Sequence, residues 1–268
     1  MIFSVAQFTC RPGDIAANAE VMAGFVREAA REGSSLVGFA ELALTGYELG
    51  LIARDRELWA EADDPRIDPV REACRETGTA AVVNCAAPAV GDSARPAITS
   101  YVYGPDGSLL TRYEKQHLYE SERDLFAAGA VDGRFEVGGV RVALATCFDN
   151  HFPELAERAA ADNCGVYMAS SLYGLGNGER EVATVYPALA GANGLYVALA
   201  NHVGRAGPYD ACGLSALWAP DGSVLATMGA DRSGPVSAQV RNGPLTDTEV
   251  TLADALLAGI AEEGPQAQ

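Results

Sequence analysis

Short apolar runs alternate with longer amphipathic stretches along this chain, which restricts it to folds in which helices cover a largely buried sheet. Residues 2–8 read as a strand, and 17–31 as an amphipathic helix with Asp14 or Asn18 near its start. Residues 35–40 form a short apolar strand that runs into Glu41; 68–77 predict a helix and 80–85 a strand. Two segments, YVYGPDGSLL at 101–110 and LWAPDGSVL at 217–225, set Pro-Asp-Gly-Ser between apolar runs. Proline presets the first turn position and glycine supplies a positive φ, so both are hairpin signals. The sheets are therefore mixed, and one hairpin in each half points to two related sheet layers. Residues 134–137 and 140–146 predict a strand pair about Gly138-Gly139. A helix over 153–162, a strand over 165–169, a helix over 179–192 and a strand over 196–201 follow. A terminal helix is expected over 246–262, with a frayed tail at 264–268. No linker rich in Pro, Gly or Ser interrupts the chain, so one domain over 1–268 is expected.

Bulk properties remove several classes of function. The 268 residues suffice for a substantial core, and the balance of 49% hydrophobic to 21% charged residues is that of a soluble globular protein. A net charge of −17 argues against a nucleic-acid partner or an anionic membrane surface, each of which needs a basic face. The opening residues MIFSVAQF lack a basic region and a long apolar stretch, so no secretory leader is expected, and no window is apolar enough to predict a membrane span. The six cysteines are scattered without a CxxC pair, which fits free thiols in a reducing, cytoplasmic setting. His117, His151 and His202 lie far apart and lack ligand spacing, so neither a metal nor another cofactor is expected.

Lys115 is the only lysine; every other basic residue is arginine. Lysine is a compact point charge with a tunable pKa, so a position that stays lysine here is a candidate for chemistry a guanidinium cannot do. The alternative is a chance remnant on a solvated surface. Cys147 follows the apolar run 141–146 and precedes Pro153, which suits the first turn of a helix. It thus sits in a strand-to-helix turn, where a nucleophile is presented at the end of a sheet beside the next backbone N–H. Taken alone, the same residue also reads as an inert core thiol. Glu41 is a lone charge among apolar and small neighbours, a setting that desolvates a carboxylate and raises its pKa towards a general-base value. A structural ion pair explains it equally well. Either way it needs a cation, and Lys115 is the candidate.

Together these segments resemble the carbon–nitrogen hydrolase (nitrilase) superfamily, whose sites use Glu, Lys and Cys in this order. Ala40-Glu41-Leu42-Ala43-Leu44-Thr45-Gly46-Tyr47 is similar to the P/A-E-x-x-x-T/S-G-Y motif. Lys115-Gln116-His117-Leu118 with Glu122-Arg123 resembles K-x-H-L…E-R, and Cys147-Phe148-Asp149 with Phe152-Pro153-Glu154 resembles C-Y-D-x-x-F-P-E. Asn201-His202-Val203-Gly204, Gly213-Leu214-Ser215 and Pro220-Asp221-Gly222 are similar to the N-x-V-G…G-x-S…P-x-G ending. The resemblance implies an αββα sandwich that forms a homodimer or a higher homo-oligomer. It further implies hydrolysis of a small linear amide through a thioester, with Cys147 as nucleophile and Glu41 as base. Lys115 would stabilise the negative charge with the N–H of Phe148, and Glu122 would orient Lys115 and the substrate.

Phe148-Asp149 replaces the Trp-Glu of true nitrilases and is closer to the amidase branches. The R-A-x-E-N motif falls on Leu189-Ala190-Gly191-Ala192-Asn193, without its arginine and glutamate. Ser171 and Tyr173 occupy the segment that lines the family's pocket. Two alternatives stand beside a simple amidase. An N-carbamoyl amidohydrolase would need a pocket cation, with Arg180 and Arg205 as candidates; an acyl-transferring member would need an amine acceptor.

Overall fold

The computed structural model describes residues 1–91 and 93–240, so the expected terminal helix and frayed tail lie outside the described residues. The first half runs β1 (Ile2–Gln7), α1 (Ile15–Arg31), β2 (Ser34–Phe39), the short α2 (Leu49–Ile52), α3 (Asp68–Thr77), β3 (Ala80–Pro88), β4 (Pro96–Tyr103) and β5 (Leu109–Glu114). The second begins β6 (Gly133–Val137), β7 (Val140–Thr146), α4 (Pro153–Ala161), β8 (Val166–Ser170), α5 (Asn177–Asn193) and β9 (Tyr196–Ala200). It closes with β10 (Val203–Ala206), β11 (Tyr209–Cys212), β12 (Ala216–Trp218), β13 (Val224–Thr227) and β14 (Gly234–Gln239).

Local chemistry sets these boundaries. Asp14 caps α1 by accepting the Ala17 N–H at 3.1 Å. Asn18, the other candidate, is buried and instead ties Arg11 and Leu44 to the helix. On α1 the residues Ile15, Ala19, Met22, Val26 and Ala29 recur every three or four positions and are buried, giving one apolar stripe. Pro153 opens α4 as expected, and Gly78 ends α3 in the left-handed region. The two Pro-Asp-Gly-Ser segments close by the same bonds: Gly107 N–H to Gly104 O, and Gly222 N–H to Ala219 O. In each, the aspartate also holds the following serine, through Asp106 and Asp221.

Two six-stranded sheets result, in the orders β14-β1-β2-β3-β4-β5 and β13-β12-β9-β8-β7-β6. Each contains a parallel trio, β1-β2-β3 or β7-β8-β9, flanked by antiparallel strands. Phe3, Leu36 and Val82 of the first sheet meet Val142, Met168 and Leu217 of the second in a core between the layers. The outer face of the first sheet packs on α1 and α3, and that of the second on α4 and α5. This is the expected αββα sandwich. The layers approach closely at Gly38, where an added Cβ would stand 2.6 Å from Met168 Sδ. Overpacking of that kind costs about 1–3 kcal/mol. The ribbon β10-β11, absent from the sequence reading, lies outside both sheets.

Candidate active site

Strand ends bring the chemistry together, on the side where parallel strands deliver their C-termini. Glu41 follows β2, Cys147 follows β7 of the other sheet, and Lys115 follows the antiparallel edge strand β5. Both turns hold a side-chain-bearing residue at positive φ: Leu42 at 52° and Cys147 at 46°. Such conformations are costly and persist only where surroundings impose them. Asn84 Oδ1 accepts the Leu42 N–H at 2.7 Å, and Asp149 Oδ2 accepts the N–H of Thr146 at 2.9 Å.

Asp149 is the hub of the cysteine turn. It is buried, and its Oδ2 also takes the Tyr113 hydroxyl at 2.5 Å. Its Oδ1 accepts the backbone N–H groups of Gln116 at 3.2 Å and His117 at 2.8 Å. One carboxylate thereby ties the residue before Cys147 to the two residues after Lys115. The sequence reading passed over Asp149, although it sits within the cysteine motif.

Lys115, Glu41 and Glu122 are all buried with no exposed side-chain surface. Lys115 Nζ donates to Glu41 Oε1 at 2.7 Å and to Glu122 Oε1 at 2.8 Å, with Glu122 Oε2 in ion-pair contact at 2.7 Å. An ammonium has three N–H donors, so two carboxylates leave one for a third partner. Glu122 also accepts the Tyr47 hydroxyl at 2.6 Å and the Tyr119 N–H at 2.8 Å. Glu41 Oε2, in contrast, is buried without a hydrogen-bond partner. The Cys147 thiol bears on this carboxylate and lowers its pKa, while its Sγ points to Leu172 O at 3.6 Å, the weak end of a thiol contact.

Charge states follow from burial. Desolvation pushes Glu41 up to about 8; Lys115 opposes that rise and Glu122 adds to it. Burial by itself would lower the Lys115 pKa, yet Glu41, Cys147 and Glu122 more than reverse it and keep the ammonium charged. Burial and then Glu41 push the Cys147 thiol up, against the pull of Lys115. Cys147 is therefore a neutral thiol beside an unusually basic carboxylate. Behind Glu41, burial pulls His202 down to about 4, so the ring is neutral. Its Nε2 lies 2.5 Å from Glu41 O, which assigns the proton to Nε2 and braces Glu41 from its backbone side.

Cys147 opens onto a cavity of about 360 Å³ lined by Tyr47, Tyr119, Phe148, Tyr173 and Tyr209, with His151 and Glu181 among its polar groups. Of the residues expected to bind substrate, Phe148 and Tyr173 line it. Ser171 does not: it is fully buried, its hydroxyl bonded to Tyr186 at 2.9 Å and its carbonyl accepting the Glu41 N–H at 3.4 Å. Arg180 and Arg205 are also outside the lining, and Arg205 is exposed beside Asp210 at 3.4 Å. A separate hollow of about 450 Å³ beside Glu61, Arg71, Tyr103 and Arg112 has no cysteine, serine or lysine in its walls. Size alone does not make it the reactive site. Among the described residues no cluster of His, Cys, Asp and Glu could hold a metal ion, and no helix is long and apolar enough to cross a membrane.

A buried Glu–Lys–Glu cluster opening through a strained cysteine onto a small cavity defines a thiol-dependent hydrolase of C–N bonds. The carbon–nitrogen hydrolase family profile matches residues 4–248, and the chain belongs to that family. It is 30% identical over 234 residues to "Hydrolase in pqqF 5'region" of Pseudomonas protegens, covering 85% of this chain and 80% of that protein. Omega-amidase NIT2 of Homo sapiens is 26% identical over 219 residues, or 78% of each chain. The fold matches a variant of the amidase from Nesterenkonia sp. AN1 that carries acrylamide added to its active-site cysteine. That match has a TM-score of 0.81 at 26% identity and covers 96% of this chain and 99% of the other. A further variant of the same amidase, in complex with butyramide, matches at a TM-score of 0.80 and 26% identity, over 97% and 96% of the two chains.

Proposed function

We propose that Cys147, Glu41, Lys115 and Glu122 hydrolyse a small linear carboxamide through a thioester. The carrying observation is the asymmetry of Glu41: one oxygen is held by Lys115 and the other is buried without a partner, on the carboxylate that Cys147 bears on. Glu41 takes the thiol proton as Sγ attacks the carbonyl carbon. The oxyanion is met by the third N–H of Lys115 and by the Phe148 N–H, in a site too buried for water to screen them. Protonated Glu41 returns the proton to the leaving nitrogen, the C–N bond breaks, and ammonia or an amine departs. Water then gives its proton to Glu41 and attacks the thioester, releasing the acid and restoring the thiol.

The adduct at the active-site cysteine of the Nesterenkonia amidase and the butyramide bound to another variant of that amidase support both the nucleophile and a small acyl group. The carbamoylase alternative loses ground because neither Arg180 nor Arg205 reaches the cavity. The same reading includes a single catalytic domain, a homodimer or larger homo-oligomer, and a cytoplasmic enzyme. The unpaired state of all six cysteines supports a reducing compartment. Incubation with an amide library followed by intact-mass measurement is expected to show a thioacyl adduct that Cys147→Ala cannot form, with that variant folded and at least about 10⁴-fold slower. Near-normal turnover by Cys147→Ala would sink the mechanism.

A further inference from the structure

The cavity in front of Cys147 has an electrostatic character that neither the family nor the catalytic cluster dictates. No lysine or arginine lines it among the described residues. Its walls are aromatic and arranged in pairs: Tyr47 against Tyr209 with ring centres 6.0 Å apart, and Tyr119 against Phe148 at 5.4 Å. Among the described residues the one carboxylate in the lining is Glu181 on α5. His151 Nε2 stands 3.1 Å from its Oε2 and locates that oxygen, leaving Oε1 available to a further donor. His151 closes the turn that begins at Cys147, and its ring lies 5.2 Å from that of Phe148, so Glu181 is tied to the wall that carries the nucleophile. Arg180, the neighbouring residue on the helix, is exposed and outside the lining.

These features act in the same direction on a substrate's charge. Aromatic faces and a half-exposed carboxylate attract an ammonium group. Among the described residues a second carboxylate on the substrate would find no lysine or arginine, only His151 already engaged by Glu181, with Glu41 and Glu122 behind Cys147. Lys115 is already shared between those two glutamates. The net charge of −17 works against the approach of anions as well.

We propose that this site selects amides bearing a protonated amine at the end remote from the carboxamide, recognised by Glu181, and that it rejects amides bearing a second carboxylate. The proposal rests on the amide-hydrolase reading and extends it to substrate class. The test compares three amides of matched length: pentanamide, 5-aminopentanamide and glutaric acid monoamide. The aminoamide is expected to exceed pentanamide in kcat/KM by about tenfold, and the acid amide to fall below it by a similar factor or more. Glu181→Gln is expected to bring the aminoamide-to-pentanamide ratio towards one, and Glu181→Lys to reverse the order of the aminoamide and the acid amide. Equal or better turnover of the acid amide by the unmodified enzyme overturns the proposal, as does an unchanged ratio in Glu181→Gln. Absence of turnover and of any Cys147 adduct with all three amides brings down the hydrolase reading itself, and the selectivity with it.

Discussion

Two buried glutamates share Lys115, and their surroundings differ in kind. Glu122 lies in the loop after β5, where both its oxygens meet the lysine and where a tyrosine hydroxyl and a backbone N–H complete its shell. Glu41, at the end of β2, has the lysine on one oxygen and no hydrogen bond on the other. A carboxylate whose lone pairs are filled by donors is held in place by several bonds at once. One with a bare, desolvated oxygen has basicity to spare. The comparison teaches that identical side chains around one cation acquire different surroundings from the donors the fold supplies, and on the proposed mechanism these suit Glu41 to be a base and Glu122 an anchor.

Three substitutions test that division. Glu41→Gln removes the base while keeping the size of the side chain, and is expected to lower kcat by about 10³–10⁴-fold. Single-turnover measurement of ammonia release checks it; a loss of only a few-fold would mean that Glu122 or water can take the proton. Lys115→Arg keeps the charge but asks a flat, broad fork to occupy a fully buried site shaped for an ammonium, with an expected loss of about 10²–10³-fold. Wild-type activity in that variant would return the lone lysine to a compositional accident. Glu122→Gln is expected to cost about tenfold at the optimum and to move the pH profile.

The direction of that movement follows from the charges. Burial puts Glu41 near 8, so the acid limb of kcat/KM in the unmodified enzyme is expected close to that pH, with activity rising as Glu41 loses its proton. The negative charge of Glu122 helps to hold the Glu41 pKa up, and removing it leaves the pull of Lys115 less opposed. The acid limb of Glu122→Gln therefore shifts to lower pH. A limb that stays in place or moves upward would show that the two carboxylates are not coupled as their contacts imply.

Much of the fold was legible in the chain because its signals are local. Apolar runs marked the parallel trios, Pro153 marked the start of α4, and the repeated Pro-Asp-Gly-Ser marked a hairpin in each sheet. The β10-β11 ribbon escaped notice because its strands are short and partly exposed and lack a sustained apolar alternation. At the site, Glu41, Lys115 and Cys147 stood out by context, each the wrong residue type for its neighbourhood. Asp149, Asn84 and His202 gave no such signal, since each works by accepting or donating to backbone groups distant in sequence. Ser171 misled for the same reason: its position next to Tyr173 says nothing about which of the two faces the cavity.

By itself, then, the sequence singled out the candidates for chemistry here: one ammonium in a chain otherwise supplied with guanidinium, one cysteine at a strand-to-helix turn, and one carboxylate set in an apolar run. Those are properties of side-chain type and near neighbours. The tertiary structure alone decided what each group does. Lys115 is 74 positions from Glu41, and only the order β2-β3-β4-β5 within the first sheet sets Nζ 2.7 Å from that carboxylate. Only the same strand order fills the shell of Glu122 and leaves Glu41 Oε2 without a hydrogen-bond partner among the described residues. Basicity, orientation and the charge of the cavity depend on distances across the fold and on the exclusion of water, and neither is a property of residue order.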